Sequence, residues 1–428
     1  MVTSRQPTVS STRRDAWVEV DLGAIEHNVK VALSWLQQPA AAGETTTAAA
    51  AGEETRSPAA DVDGATPRLM AVVKSDAYGH GALGVAEVLI GSGAQWLAVA
   101  SIDEGCQLRS ASSTVPILIL SPVPQWAIQT GLDHNLDFTV TNESHLHDIE
   151  AIAKRRHGRA RVHLKVDTGM HRLGVPPEKV DLILGKVMES KHLQLISVFS
   201  HLAKADESEA TNYQNEQFAL VVKLVQERQP KLIAAGAVNA CEPLIFHLDS
   251  GDAARRFPST HYDMVRVGLL LYGLEPDTVS RDVVPAMSVR ARVNQINEIA
   301  AGESVGYGWT WTAKRPTRLA CVPIGYADGV DRRLSNRLTG LMMGQLINQV
   351  GRISMDQMLF DVTDVPGASE GDVITLIGTE GDQQLHLASW AVMLDTITYE
   401  LACRMRVRLP RIYTRHRTPA NPANQGQS

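Results

Sequence analysis

Residues 69–101 read "LMAVVKSDAYGHGALGVAEVLIGSGAQWLAVAS". A short apolar run ends on Lys74, and a loop with Tyr78 and two glycines follows. The segment 81–93 has helical spacing, and "WLAVAS" (96–101) is a second apolar run. Both runs are near-continuously apolar rather than alternating. Strands of that kind are covered on both faces, as in a parallel sheet flanked by helices.

The unit repeats. Apolar, β-branched runs recur at 69–74, 96–101, 115–120 ("VPILIL"), 136–140 ("LDFTV"), 161–167 ("RVHLKVD"), 195–201 ("LISVFSH"), 245–250 ("IFHLDS") and 265–273 ("VRVGLLLYG"). Helix-compatible segments such as "SHLHDIEAIAKRR" (144–156) lie between most of them. Eight such units in about 200 residues fit a (β/α)8 barrel, with a doubly wound open sheet as the main rival. Polar groups at or just past the strand ends favour the barrel, whose active sites form at that face. They are Lys74, Asp76, Tyr78, Ser101, Lys165, Asp167, His201, Asp249 and Ser250, with Arg266 early in the last run.

After about Ser280 the texture changes. Shorter alternating runs, "SVRARVNQINEI" (288–299), "LINQVGRISMDQMLFDVT" (346–363) and "GDVITLIG" (371–378), are separated by turns. This is mainly-β patterning with one polar face. The expected organisation is a tail over 1–15, a barrel over 16–280, a β-domain over 281–414 and a tail over 415–428. Within the barrel, residues 38–67 are Ala/Thr/Glu/Gly/Pro-rich with almost no large apolar side chains. They are expected to be a disordered insertion, because they bury too little surface to offset the entropy of ordering.

The composition sets bounds. The 428 residues are 44% hydrophobic and 21% charged, with net charge −6 and no basic cluster, which argues against a nucleic-acid partner. No apolar run reaches the length of a membrane span. The N-terminal stretch lacks the apolar segment of a secretory signal. Cys106, Cys241, Cys321 and Cys403 are scattered without metal-ligand spacing, which fits a reducing, cytoplasmic setting.

Lys74 is the chemical signal. A lysine held at a strand end in a barrel mouth loses hydration, its pKa falls from about 10.4, and its amine becomes a nucleophile toward carbonyl compounds. Pyridoxal phosphate suits the surrounding set. Ser250 and Gly268 follow strands seven and eight, where barrels hold phosphate, and Arg266 can face a ring nitrogen. On spacing alone, an aldolase with a strand-end lysine fits as well.

These residues resemble the alanine racemase family over nearly the whole chain, from "AWVEVDLGAIEHN" (16–28) to "VRLPRIY" (407–413). "AVVKSDAYGHG" (71–81) is similar to the family's cofactor-lysine motif. "HLKVDTGMHRLG" (163–174), "VRVGLLLYG", "VGYGWTW" (305–311), "PIGYADG" (323–329), "GRISMDQ" (351–357) and "TITYE" (396–400) follow in the family's order. The resemblance implies a barrel followed by a β-domain, with the strand near 17–21 joining the latter. It implies a pyridoxal 5'-phosphate enzyme, an isomerase that interconverts L- and D-alanine and supplies D-alanine for peptidoglycan. It also implies a homodimer with shared active sites.

Residue by residue, the resemblance makes Lys74 the cofactor lysine and the base toward the D-enantiomer, and Tyr307 the base toward the L-enantiomer. Tyr78, Ser250, Gly268, Leu269 and Tyr399 match phosphate ligands. His201 and Arg266 lie beneath the cofactor. Arg172 and Met355 match substrate-carboxylate contacts, and Lys165 matches an often carbamylated position. The chain departs from the family at Asp249, where asparagine is usual, and at Gly306, where serine is frequent. The smaller residue at 306 leaves room for substrates larger than alanine. The alternatives are a broad-specificity amino-acid racemase and, more distantly, a barrel-type decarboxylase or a non-catalytic cofactor carrier. The Tyr307 motif, Arg266 and the β-domain count against the last two.

Overall fold

The structure, a computed structural model, describes residues 15–37, 66–111, 114–274, 282–405 and 408–416. The expected insertion and both tails lie almost wholly outside them.

Eight parallel strands form one sheet: β2 (Arg68–Val72), β3 (Trp96–Val99), β4 (Ile117–Ile119), β5 (Asp137–Val140), β6 (Ala160–Lys165), β7 (Leu193–Phe199), β8 (Ile245–His247) and β9 (Met264–Val267). The numbering leaves β1 for Ala16–Asp21. The strand order is β8-β7-β6-β5-β4-β3-β2-β9, and every pairing is parallel. The ring closes between its ends: the Arg266 amide donates to the Asp249 carbonyl at 3.2 Å, and Ser250 bridges Arg266. Each strand falls within or beside one of the eight apolar runs. Every strand but β5 ends before its apolar run does, because the residues past the strand turn over the barrel mouth. The last run stops at Val267, and Leu269–Tyr272 forms a buried 3-10 turn.

The second sheet is antiparallel apart from one pairing. Its strands are β10 (Met287–Arg292), β11 (Gln295–Ile299), β14 (Thr317–Val322), β15 (Thr339–Met342), β16 (Gln345–Val350), β17 (Met358–Asp361), β18 (Val373–Glu380), β19 (Gln383–Leu385) and β20 (Arg411–Thr414), with a small separate hairpin of β12 (Ser304–Val305) and β13 (Trp311–Thr312). Here β1 pairs antiparallel with β10 and parallel with β20, so the first strand among the described residues sits between two strands that follow the barrel in sequence. Two helices, Leu387–Leu394 and Thr398–Arg404, belong to this region, and the second carries Tyr399. No helix among the described residues is long and apolar enough to cross a membrane.

Candidate active site

Above the C-terminal ends of the barrel strands lies a cavity of about 470 Å³. Its lining includes Lys74, Tyr78, Lys165, Arg172, His201, Ser250, Arg266, Gly268, Leu269 and Tyr399, ten of the twelve residues given a site role from the sequence, but not the strand-end residues Asp76, Ser101, Asp167 and Asp249. Val72, Leu120, Ser121, Leu173 and Phe199 complete much of the wall. Among the described residues no Asp or Glu lines it, while two lysines and two arginines do. Such a lining suits a ligand with more than one anionic group.

Lys74 follows β2 and opens an unusual turn. Ser75, Asp76, Ala77 and Tyr78 all have φ between 53° and 55°, and Gly79 has φ 83°. Each left-handed non-glycine residue costs about 1–2 kcal/mol, so such a run persists only where its surroundings dictate it. They do. Glu104 accepts from the Ser75 amide at 2.6 Å through Oε1 and from the Ala100 amide at 2.8 Å through Oε2. Asp76 accepts from the Ala82 amide at 2.8 Å, and Arg411 donates to the Gly79 carbonyl. A Cβ at Gly79 would stand 2.2 Å from the Ala402 carbonyl oxygen. Glu104 was not singled out from the sequence. The capping box "SIDE" (101–104) was readable, but its link to Ser75 was not.

Burial pushes the Lys74 amine below its ordinary pKa, and the nearby Arg172 adds to this. Burial, with Arg266, Arg172 and Lys74 close by, brings Lys165 down to about 8. Its ammonium also faces the Phe199 ring at 5.6 Å.

Arg266 is buried on β9. Its Nη2 donates to the Ser200 carbonyl (2.7 Å), the Leu248 carbonyl (2.9 Å) and His201 Nδ1 (3.0 Å), and Nη1 donates to His247 Nδ1 (2.9 Å). Burial lowers its pKa to about 10, with Asp249 opposing, so it stays a cation near neutrality. His201 is pushed well below its usual value by burial and then by Arg266, so it is neutral.

One end of the cavity floor is set by a close approach. A Cβ at Gly268 would lie 2.7 Å from the Tyr78 hydroxyl, so that hydroxyl rests where any side chain would stand. Tyr399 packs edge-on against Tyr78, with centroids 6.4 Å apart. Ser250 lines the cavity beside the barrel closure.

Tyr307 and Met355 are the two that a single chain does not bring to this cavity. They lie on the β-domain and are 71% and 52% exposed. Trp309 and Tyr326 are also exposed, at 76% and 41%. Tyr326, inside the quoted "PIGYADG", had been given no role. Gly306 has φ 70° and ψ −174°, a conformation open essentially to glycine alone, while a Cβ there would meet nothing nearer than 3.4 Å. The backbone, rather than pocket width, calls for glycine.

Comparison with known proteins places this geometry. The family profile "Alanine racemase, N-terminal domain" matches residues 56–276, and "Alanine racemase, C-terminal domain" matches 286–413. This chain belongs to the alanine racemase family. An alanine racemase of Synechocystis sp. is 37% identical over 409 residues, covering 94% of this chain and 99% of that protein. An alanine racemase from Bacillus anthracis, solved with bound L-Ala-P, is 30% identical with TM-score 0.78, covering 95% of this chain and 97% of that one. A histidine racemase from Leuconostoc mesenteroides subsp. sake, 24% identical with TM-score 0.79, shares the fold.

Proposed function

We propose that this protein interconverts L- and D-alanine using pyridoxal 5'-phosphate. One observation carries the reading. Lys74, with its depressed amine pKa, shares a cavity with a glycine-floored tyrosine hydroxyl and a buried, fully oriented arginine, in a chain of this family.

The residues present fit the cofactor. Gly268 leaves the space in which the Tyr78 hydroxyl sits, and with Leu269, Ser250 and Tyr399 it forms the end that would take the phosphate. Arg266 would meet the ring nitrogen and Lys74 the aldehyde carbon. When bound, pyridoxal phosphate supplies a conjugated ring that spreads negative charge from the substrate's α-carbon. Arg266 does not surrender its proton, so facing the ring nitrogen it would keep that nitrogen unprotonated and would limit how far the charge is drawn away. Arg172 binds the substrate carboxylate. Lys165, with its amine near 8, is suited to carbamylation, and a carbamate there would orient Arg172.

Inverting an α-carbon takes one proton group on each face. Lys74 Nζ serves the face from which the D-enantiomer loses its proton. Tyr307 serves the other. In this reading Tyr307 and Met355 reach the cavity of a second copy, making a homodimer with shared sites. Their exposure on the β-domain, together with that of Trp309, supports this. The scattered free thiols suit the cytoplasmic setting included in the reading.

The test is direct. Purified protein given pyridoxal phosphate and L-alanine should produce D-alanine, and borohydride should fix the cofactor to Lys74. A broad-specificity racemase is the second reading. A panel of L-amino acids assayed beside alanine separates the two, since comparable kcat/KM on larger side chains would overturn alanine preference.

A further inference from the structure

Below Arg266 the barrel interior holds a line of polar side chains that the reaction scheme does not use. Arg266 Nη1 meets His247 Nδ1 at 2.9 Å. His247 Nε2 meets Ser197 Oγ at 2.8 Å. Ser197 Oγ meets His163 Nδ1 at 2.6 Å, and His163 Nε2 meets Asp137 Oδ2 at 3.1 Å. Arg161 closes the lower end, with Nε and Nη2 on the two Asp137 oxygens at 2.8 and 3.2 Å. His163, Ser197 and His247 are fully buried and Asp137 is 1% exposed.

The ends fix the direction of every hydrogen. A guanidinium only donates, so His247 Nδ1 must accept. The His247 proton then sits on Nε2 and points at Ser197. The Ser197 hydroxyl must donate onward to His163 Nδ1, which leaves the His163 proton on Nε2, directed at the Asp137 carboxylate. That carboxylate, gripped by Arg161, only accepts. Both histidines are neutral in this arrangement, and burial holds both below their ordinary pKa. Neighbouring rings restrain them. Phe199 stacks on His247 at 4.7 Å and 4°, and Trp96 stands edge-on to His163 at 5.3 Å. Ser197 is the one link whose direction is set by its neighbours alone, since a hydroxyl both donates and accepts. A chain of hydrogen bonds running one way adds its dipoles and strengthens each member.

We propose that Ser197, backed by His163 and Asp137, is a positioning residue that accepts the His247 Nε2 proton, reinforces the tautomer that Arg266 requires and thereby holds Arg266 before the cofactor as an oriented cation. The second half of this rests on the reading of Arg266 as the ring-nitrogen partner.

The experiment uses enzyme labelled with ¹⁵N-histidine, the His247 signal being identified by its loss in His247→Gln. In the wild type, His247 should be protonated at Nε2 and bare at Nδ1, both before and after pyridoxal phosphate is added. In Ser197→Ala a second His247 form should appear. Pyridoxal phosphate titrated into the apo-enzyme should then bind roughly tenfold more weakly, the scale of one disrupted buried hydrogen bond. Ser197→Thr should restore both. If Ser197→Ala fails to fold, Asp137→Asn, which can donate where aspartate only accepts, is read in the same way. A wild-type His247 protonated at Nδ1 overturns the proposal. So does a Ser197→Ala enzyme that loses thermal stability while keeping the wild-type tautomer and affinity. Arg266→Lys in the same titration separates the two readings. Unchanged affinity and absorbance would refute the role of Arg266 and with it the second half of the proposal, while the tautomer result would stand.

Discussion

The Tyr78 hydroxyl occupies the space that a side chain at Gly268 would need, 2.7 Å from where its Cβ would lie. One residue lies on the left-handed turn after β2 and the other just past β9, so neighbouring strands share this part of the cavity floor, where the proposed function puts the cofactor's phosphate. Gly268→Ala should displace the hydroxyl and weaken pyridoxal phosphate binding by about tenfold, the scale of one charge-assisted hydrogen bond. Tyr78→Phe should do the same. The double variant should lose less than the sum, since both act on one contact. Equilibrium titration of the apo-enzyme provides the measurement, and full additivity would show that the two positions act separately.

Lys165 should react with carbon dioxide. Its amine, brought to about 8, is lowered from the ordinary 10.5, so the neutral form that attacks carbon dioxide grows as pH rises through 8. With ¹³C-bicarbonate, a protein-bound carbamate signal is expected that strengthens between pH 7 and 9 and is missing from Lys165→Met. Activity of the wild type at pH 7 should rise with added bicarbonate. A signal that persists in Lys165→Met would place the modification on another lysine.

Tyr307→Phe tests the two-sided proton transfer. Positioned acid–base groups contribute about 10²–10⁴-fold, so racemisation should fall by that order in both directions. Exchange of the α-proton of D-alanine with solvent needs only Lys74 and should be retained far better than exchange from L-alanine. Equal loss from both enantiomers would defeat the assignment. In a mixed dimer of Tyr307→Phe and Lys74→Ala chains, one site should regain both groups if each cavity borrows its tyrosine. An intact but inactive mixed dimer would place both groups in one chain.

Asp249 makes a stability prediction. Burial raises its carboxyl to about 7, outweighing Thr260 and Arg266, which favour the charged form. A raised acid pKa means that the folded state holds its proton more tightly than the unfolded chain. The contribution is therefore complete below the unfolded value near 3.9, is lost as pH rises through 7, and stays lost above it. Asp249→Asn should be near neutral at pH 4 and stabilising by about 1–3 kcal/mol at pH 8. Urea midpoints at the two pH values check this. A variant less stable at pH 8 would mean that the carboxylate's attraction to Arg266 outweighs its burial.

The barrel was legible because parallel strands covered on both faces leave an unambiguous trace, and all eight runs contain or adjoin an observed strand. The cavity followed from the same signal, since polar residues at strand ends converge on one face. Three features were not legible. Gly79 and Gly81 announced a tight turn, but not that Ser75 to Tyr78 would share its hand, because that depends on Glu104, Arg411 and Ala402 from distant segments. His163, Ser197 and His247 were visible only as polar residues in apolar runs, since a period of two shows which side a residue faces but not what it bonds. Tyr399 lies in a helix within a region of β texture, because "TITYE" is too short to show helical spacing.

The clasp of β1 between β10 and β20 has a consequence for synthesis. At roughly 5–20 residues per second, an emerging chain makes Ala16–Asp21 about 10–50 seconds before the first residues of β10 exist. The whole barrel is translated in that interval, while the opening strand has neither of its sheet neighbours. The β-domain therefore cannot be released as a contiguous fragment. Residues 282–416 expressed alone would leave β20 without the strand it pairs with and β10 with an open edge. Supplying Ala16–Asp21 as a separate peptide should restore that edge, and its failure to bind would mean the fragment closes its sheet some other way.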